Sequence, residues 1–216
     1  LEELRRILFP GFFDTNRVRS EYIKYLVGDR MEFVQYHLRK QIARVLGNDE
    51  TCDQCPKSDL SNKAEKIVEE FISKIPMIRE YLYTDVQAAY DGDPAAYSTD
   101  EVIFSYPGIF AITVYRIAHE LVLLGVPLIP RIMTEYAHSL TGIDINPGAA
   151  IGKYFCIDHG TGIVIGETTT IGDHVKIYQG VTLGALSTKR GQLLKGEKRH
   201  PTIGNNVTIY SGTSVL

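Results

Sequence analysis

The sequence has few cysteines, no long apolar run and no large excess of charge. Its three cysteines are too few for a disulfide framework and favour a reducing compartment, so we expect a cytoplasmic protein. No stretch of about 18 apolar residues is present, and no secretory leader pattern opens the chain. We therefore expect no membrane partner. A net charge of -3 also argues against nucleic acid as a partner.

The first two thirds of the chain have the apolar spacing of helices, up to about residue 142. Polar and Pro-containing stretches interrupt this spacing, and they predict several separate helices joined by loops. The predicted boundaries are a helix end at Gly47, a cap at Ser61, and helix starts at Pro76, Pro107 and Pro127.

After Gly142 the spacing changes, and aliphatic residues recur every six positions. A period of six is typical of hexapeptide repeats, which build a parallel β-helix. Each hexad supplies a short strand and a turn with one inward aliphatic residue, and stacked coils of three hexads bury the core. Hexapeptide coils wind left-handed, against the usual crossover rule. The repeating residues are Ile145, Ile151, Ile157, Ile163, Ile165, Ile171, Ile177, Leu183, Ile203, Ile209 and Val215.

These two patterns predict an α+β fold in two domains. Residues 1–142 form an α-helical N-terminal domain in this interpretation, and residues 143–216 form a left-handed parallel β-helix. The repeat is unfinished at Leu216, and the chain starts at Leu1 rather than Met. We therefore expect the natural protein to extend past one end or both.

Two breaks interrupt the six-residue pattern. The step from Ile163 to Ile165 indicates an irregular corner of the coil. The gap from Leu183 to Ile203 is too long for a regular coil, and its polar, basic content predicts a loop that leaves one corner. Loops on a rigid scaffold commonly carry function.

Polar residues near these breaks are candidates for chemistry. Asp144 and His159 are slightly less than one coil apart in sequence, so they can approach one another across neighbouring coils. A carboxylate beside an imidazole makes a general base, which can take the proton of an alcohol that attacks a thioester. Many hexapeptide solenoids are acyltransferases, but that is an analogy of fold alone. The candidates are Asp144, Asp158, His159, Arg199 and His200.

Several blocks of the sequence closely resemble the serine O-acetyltransferases, which make O-acetylserine for cysteine biosynthesis. The most specific blocks read DINPGAA, DHGTGIVIGE and KRHP, in this order. The resemblance extends upstream through DGDPAAYST and GIFAITVYRIAHEL, and covers about residues 80–216. It implies direct acetyl transfer in a ternary complex with acetyl-CoA as co-substrate, without a tightly bound cofactor or a metal.

The resemblance also implies a role for each candidate residue. His159 is similar to the base that deprotonates the serine hydroxyl, and Asp144 to the carboxylate that orients it. Asp93 and Asp158 resemble residues that bind the substrate ammonium group. Arg199 and His200 resemble the residues that bind the substrate carboxylate. Gly184 resembles a position that lies against the thioester end of coenzyme A, where a backbone N–H can support an oxyanion.

The family resemblance implies an assembly as well. A homotrimer would place each site between two subunits, with Asp93 facing the neighbour's loop, and helical domains would join two trimers into a hexamer. The family's tail, which contacts O-acetylserine sulfhydrylase, is absent from this sequence. Two positions depart from the common pattern, Asn146 after Asp144 and Ala185 after Gly184, and the basic loop before Arg199 is long.

Other interpretations stay open at this point. A zinc hydrolyase on the same solenoid would need His159, His174 and His200 to converge, and a non-catalytic scaffold would need no Asp–His pair. Sugar and antibiotic acetyltransferases share the coil but generally lack the DGDPA region. The remaining conspicuous residues are read as non-catalytic: Cys52 and Cys55 as an isolated pair, Cys156 as wall filler, His119 as a bonded structural histidine and His174 as an exposed turn residue.

Overall fold

The computed structural model describes residues 1–14, 19–47, 57–187, 189, 191–194 and 196–216. Cys52 and Cys55 lie outside these ranges, so the expectation that they carry no function stays a prediction. A short 3₁₀ turn, Ser20–Tyr22, precedes the second helix. The α-helices are α1 (Glu2–Leu8), α2 (Ile23–Gly47), α3 (Lys57–Gly92), α4 (Thr99–Ser105), α5 (Pro107–Leu123) and α6 (Ile129–Thr141).

Helix α3 corrects two predicted boundaries. It begins at Lys57, so Ser61 lies inside the first turns and caps nothing, and Pro76 lies in the helix interior. The reason is that the buried apolar stripe continues at helical spacing on both sides of the proline, from Phe71 to Ile78. Packing of this stripe outweighs the loss of one backbone donor at Pro76.

The other boundaries are closer to the predictions. Helix α2 ends at Gly47 and α5 begins at Pro107, as predicted, whereas α6 begins two residues after Pro127. Helix α4 was not predicted, because its sequence follows a Gly- and Pro-containing stretch. Its N-terminus is capped by Ser98, whose hydroxyl accepts a hydrogen bond of 3.1 Å from the Glu101 N–H.

No single helix in the described part of the chain is long and apolar enough to cross a membrane. Helices α4 and α5 meet that criterion only when taken together, and a bend of 76° separates them. Much of α5 is buried, including Ile112, Ile117 and Leu121.

Ten short parallel strands follow the helices and form three flat faces. The first face has the order β1-β4-β7-β10, the second β2-β5-β8 and the third β3-β6-β9. This is the coil predicted from the six-residue period. The strands are β1 (Asp144–Ile145), β2 (Ala150–Ile151), β3 (Cys156–Asp158), β4 (Val164–Ile165), β5 (Thr170–Ile171), β6 (Lys176–Tyr178), β7 (Thr182–Leu183), β8 (Thr202–Ile203), β9 (Thr208–Ile209) and β10 (Ser214–Val215).

The strand register places the repeating aliphatic residues in inward columns. On the first face Ile145 aligns with Ile165, and Ile165 aligns with Leu183. The two other faces repeat this arrangement, and their inward isoleucines are buried. Ile163 is also buried, but it precedes β4, which confirms the irregular corner that the spacing predicted.

By internal contacts the chain forms two compact units. One comprises Leu1–Arg79 with Glu120–Pro130, and the other comprises Glu80–His119 with Arg131–Leu216. Helical structure gives way to strands between Thr141 and Asp144. The division into domains at residue 142 stays a prediction.

Within the second unit, side chains of α5 satisfy backbone carbonyls of the first coil. Arg116 forms a buried two-point ion pair with Asp85 (3.0 Å for each contact) and donates to the carbonyls of Ile151 and Gly152 (2.6 Å each). The Tyr115 hydroxyl donates to the Ala149 carbonyl at 2.6 Å. These contacts cover the starting edge of the β-helix, which would otherwise present unpaired backbone groups.

Candidate functional site

His159 lies in a two-residue bulge of the first coil. Asp144 aligns with Val164, and Val164 aligns with Thr182, so the first coil is two residues longer than the second. The extra residues are His159 and Gly160, at the corner between the third and the first face, and both have positive φ angles (58° and 95°). The bulge turns the imidazole outward, and 76% of the side chain is exposed.

Gly160 is required for this bulge. A Cβ atom at Gly160 would lie 2.5 Å from Ile143 Cδ1 and 2.8 Å from Ile157 Cγ2, both of which belong to the buried core. Only glycine combines such close packing with a strongly positive φ angle. The irregular spacing that the sequence shows at Ile163 is therefore the feature that exposes His159.

Asp158 is fixed next to the imidazole. Its Oδ1 lies 3.8 Å from His159 Nε2, and its Oδ2 forms a 2.8 Å ion pair with Lys176 Nζ. Lys176 also donates a hydrogen bond of 2.7 Å to the Gly92 carbonyl. Partial burial lowers the pKa of Lys176, but its hydrogen bond with Asp158 and the nearby negative charge raise it overall, so the ammonium group stays charged.

Asp93 belongs to the same corner. Its Oδ2 accepts a 2.6 Å hydrogen bond from the Tyr106 hydroxyl, and its Oδ1 accepts one of 2.8 Å from the Ala95 N–H. The Tyr106 hydrogen bond, the Ala95 N–H and the proximity of Lys176 and His159 lower the pKa of Asp93. The same hydrogen bond with Asp93 raises the pKa of Tyr106 to about 12, so Tyr106 remains a donor.

Asp144 has a different partner from the predicted one. Its Oδ1 lies 3.6 Å from Arg131 Nη1, and no hydrogen bond or ion pair joins Asp144 to His159 among the described residues. Asp144 also lies close to Glu135 and His138, a group whose ligand atoms are within 4.8 Å of one another. Arg131 pairs with two of these carboxylates. The orienting role of Asp144 stays a prediction.

Arg199 and His200 lie at another corner, between the first and the second face. The loop after β7 rejoins the coil at this corner. The Thr168 hydroxyl accepts hydrogen bonds there from the N–H groups of Arg199 (3.0 Å) and His200 (3.1 Å). The Arg199 guanidinium is paired with the carboxylate of Glu167. One chain therefore does not bring the predicted carboxylate clamp to His159.

His200 is held in one tautomer. Its Nδ1 accepts a hydrogen bond of 3.1 Å from the Thr168 N–H, which requires an unprotonated Nδ1 and leaves the proton on Nε2. The ring lies against Gly166, where a Cβ atom would be only 2.0 Å from His200 Cδ2. Burial, and then the charge of Arg199, lower the pKa of His200. His200 is thus a neutral donor at Nε2.

Gly184 lies at the end of β7, but its N–H is already in use. It donates a 3.0 Å hydrogen bond to the Val215 carbonyl in the strand ladder. This N–H is therefore not free to meet an oxyanion, contrary to the expectation above. The broader prediction that Gly184 lies against coenzyme A is untested.

The remaining histidines and Cys156 behave as structural residues. His119 Nδ1 lies 2.8 Å from the Pro147 carbonyl, and His174 is an exposed turn residue, both as predicted. The His174 ring lies tilted against Tyr154, with the ring centroids 4.4 Å apart. Cys156 is buried, and burial raises the pKa of its thiol to about 12, which disfavours a nucleophilic thiolate. His159, His174 and His200 occupy three different corners, so one chain does not converge them as a zinc site requires.

Comparison with known proteins identifies the family. The chain is 48% identical over 222 residues to the plasmid serine acetyltransferase of Synechococcus elongatus, which covers all of this chain and 70% of that protein. The chain belongs to the serine acetyltransferase family. No family model matches the chain.

Solved serine acetyltransferases have the same fold. Isoform 3 from Entamoeba histolytica, in complex with cysteine, superposes with a TM-score of 0.81 at 40% identity, over 99% of this chain and 69% of that one. The soybean enzyme complexed with serine matches with a TM-score of 0.61 at 29% identity, over 99% of this chain and 79% of that one. A serine acetyltransferase in complex with CoA matches with a TM-score of 0.60 at 27% identity, over 100% of this chain and 83% of that one.

These matches confirm the resemblance drawn from the sequence blocks, and with it the α+β fold class and the left-handed β-helix. Sequence reasoning missed residues that hold the site, namely Lys176, Tyr106, Thr168 and Glu167. Lys176 had a detectable signal in the repeat. It flanks the inward residue Ile177, just as Cys156 and Asp158 flank the inward residue Ile157 one coil earlier. The three others had none, since they act through loops whose path the repeat does not define.

Proposed function

We propose that this serine acetyltransferase transfers the acetyl group of acetyl-CoA to the hydroxyl of L-serine and forms O-acetylserine for cysteine biosynthesis. Acetyl-CoA acts as a co-substrate, and the proposal requires no tightly bound cofactor. The observation that carries the proposal is the outward His159 imidazole on its bulge, flanked by two fixed carboxylates, Asp93 and Asp158. Family membership supplies the reaction, and this geometry supports the assignment of its residues.

In the proposed mechanism His159 takes the proton of the serine hydroxyl as its oxygen attacks the thioester carbonyl. The tetrahedral intermediate then expels the coenzyme A thiolate, and the imidazolium returns its proton to the sulfur. Asp158 lies 3.8 Å from the imidazole, where its charge stabilises the imidazolium that forms. When the substrates are bound, Asp144 would hold the His159 ring in the orientation that proton transfer requires.

The serine backbone groups would be bound by opposite charges. Asp93 and Asp158 are negative and half-buried beside His159, which suits the ammonium group. Arg199 offers a planar guanidinium to the carboxylate, and His200 offers a neutral N–H at Nε2. Since these two lie at another corner of the same chain, we propose that they come from a neighbouring subunit of a homotrimer.

The larger assembly is proposed on the family resemblance alone. A pair of trimers joined through the helical regions would make a hexamer. Binding of O-acetylserine sulfhydrylase would use the tail that makes this contact in the family. A cytoplasmic location is likewise a proposal, and it rests on the low number of cysteines.

A substrate screen tests the reaction. Coenzyme A thiol release is followed with the protein, acetyl-CoA and, separately, L-serine, L-homoserine and a galactoside. We expect release with serine and little with the galactoside, because the two carboxylates and the Arg199 corner match an amino acid. L-Homoserine has the same backbone groups with its hydroxyl one carbon further away, so it tests whether His159 is placed for the serine hydroxyl. Release with the galactoside but not with serine would overturn the substrate assignment.

A mixing experiment tests the shared site. His159→Ala chains are expected to be inactive, and Arg199→Ala chains to have little activity at serine concentrations below the wild-type KM. Co-refolding the two in equal amounts restores activity at such a concentration if the two residues act across a subunit boundary. In a cyclic trimer about a quarter of the sites would then carry both intact residues. If the mixture forms trimers but is no more active than either variant alone, the shared site is refuted.

A further inference from the structure

Lys176 joins the two chain segments that carry the proposed ammonium-binding carboxylates. It lies on β6, in the third face, and flanks the inward residue Ile177. Its Nζ contacts Asp158 Oδ2 at 2.8 Å, on β3 one coil earlier. The same Nζ donates at 2.7 Å to the carbonyl of Gly92, the last residue of α3 and the residue before Asp93.

The surroundings of Lys176 are close-packed. A Cβ atom at Gly92 would lie 3.4 Å from Lys176 Nζ and 3.4 Å from Cys156 Sγ, in van der Waals contact with both, so no open space separates Gly92 from the cross-link. Lys176 and Asp158 each expose only 20% of their side chains. A charge-assisted hydrogen bond in such a position is stronger than one between exposed groups.

We infer that Lys176 is a positioning residue that holds Asp93 and Asp158 at a fixed separation for the ammonium group of serine. This inference rests on the proposed function. Lys176 occupies Asp158 Oδ2 and leaves Oδ1, the oxygen that faces His159, for the substrate. It fixes Asp93 through the preceding carbonyl, while the Tyr106 hydroxyl fixes the Asp93 carboxylate itself. Lys176 contacts no reacting atom.

The same unit contains a matched cross-link away from His159. Lys153 Nζ lies 2.6 Å from Glu80 Oε1, so it also joins the first coil to α3, but Lys153 exposes 42% of its side chain. Lys153→Met therefore removes the same charge and a bridge to α3 at a more exposed position. An effect on serine binding that is specific to Lys176→Met cannot come from the loss of a lysine charge next to α3 alone.

Steady-state kinetics test the inference. Lys176→Met should raise KM for serine by about tenfold or more, as expected for loss of a charged hydrogen bond, with KM for acetyl-CoA and kcat changed much less. Lys176→Arg, which keeps a charged donor, should recover part of the loss, and Lys153→Met should match the wild type. A serine KM in Lys176→Met close to that of Lys153→Met would overturn the inference, as would equal losses in both KM values.

Hydrogen–deuterium exchange tests the positioning without turnover. In the full chain, the amides of Asp93 and of residues 95–97 should exchange faster in Lys176→Met than in the wild type, and should be unchanged in Lys153→Met. Equal exchange in all three proteins would refute the positioning role, even if the protein proved inactive with serine. A wild type that is inactive with serine, together with faster exchange in Lys176→Met, would instead refute the proposed function and retain the positioning role. If Lys176→Met does not fold, Lys176→Gln replaces it in both measurements.

Discussion

The His159 corner and the Arg199 corner belong to one β-helix but are fixed in different ways. At His159 the chain stays on the coil, and a two-residue bulge between β3 and β4 turns the ring outward. At Arg199 the chain returns from a long loop, and it is held through Thr168 and the half-exposed carboxylate of Glu167. The first corner is fixed by core packing under Gly160, and the second by polar contacts at the surface.

This difference matches the roles proposed for the two corners. A general base must meet a hydroxyl within hydrogen-bond distance, and small displacements of a base cost much of its effect. A guanidinium that binds a carboxylate tolerates more movement, because the charge attraction falls off slowly with distance. We therefore expect replacement of the base His159 to lower kcat and substitutions at the Arg199 corner to raise KM.

The largest expected effect follows from replacing the proposed base. His159→Ala should fold normally, since its side chain is 76% exposed, and should lose about 10²–10⁴-fold in kcat. His174→Ala is the matched control, because His174 is also an exposed turn histidine with positive φ (56°). Near-normal turnover by His159→Ala, measured by coenzyme A thiol release, would contradict the assignment of His159.

The β-helix could be predicted from the sequence because its physical cause is local. Apart from the two breaks, each aliphatic residue of the series is six positions from the next, and a period of six fits neither a helix nor a long strand. The helical boundaries were less predictable. Pro76 signals a helix start by its local chemistry, but the buried stripe around it continues, and tertiary packing decides the outcome.

The site was predictable in residue type but not in geometry. The sequence blocks identified His159, Asp158 and Asp93, which the structure brings to one corner. The sequence could not predict the Arg131 partner of Asp144 or the Val215 partner of the Gly184 N–H, since both depend on which groups meet across coils and helices. These hydrogen-bond and ion-pair partners are decided by three-dimensional packing, whereas the six-residue repeat specifies only which aliphatic residues point into the core.

The second largest effect concerns the Arg116–Asp85 pair at the starting edge of the β-helix. Arg116→Met leaves Asp85 buried without its partner and removes donors to Ile151 and Gly152. We expect the free energy of unfolding to fall by about 3–5 kcal/mol. Lys153→Met, at an exposed ion pair, should change it by at most about 1 kcal/mol. Urea unfolding measures the free energy of unfolding of both variants. Similar decreases would show that the buried Arg116–Asp85 pair contributes no more stability than the exposed Lys153–Glu80 pair.

A smaller effect is expected at the Arg199 corner. Arg199→Lys keeps the charge but loses the planar fork that suits a carboxylate. KM for serine should rise about tenfold, which corresponds to one lost charged hydrogen bond, while kcat should change little. Glu167→Gln, which removes the surface partner of Arg199, serves as a comparison for indirect effects. A fall in kcat as large as that of His159→Ala would remove the distinction between the corners.

The smallest effect is a pH dependence of stability at the Arg199 corner. Burial and then Arg199 lower the pKa of His200 in the folded chain, whereas the unfolded pKa is about 6.5. As the pH falls below that value, the unfolded chain takes up the proton first, so the folded state loses stability until the folded pKa is passed. His200→Asn should reduce the loss of unfolding free energy between pH 7 and pH 5, measured by urea unfolding. An undiminished loss would mean that the Thr168 N–H contact to Nδ1 does not keep the ring neutral, and that the Arg199 corner adapts to protonation by moving.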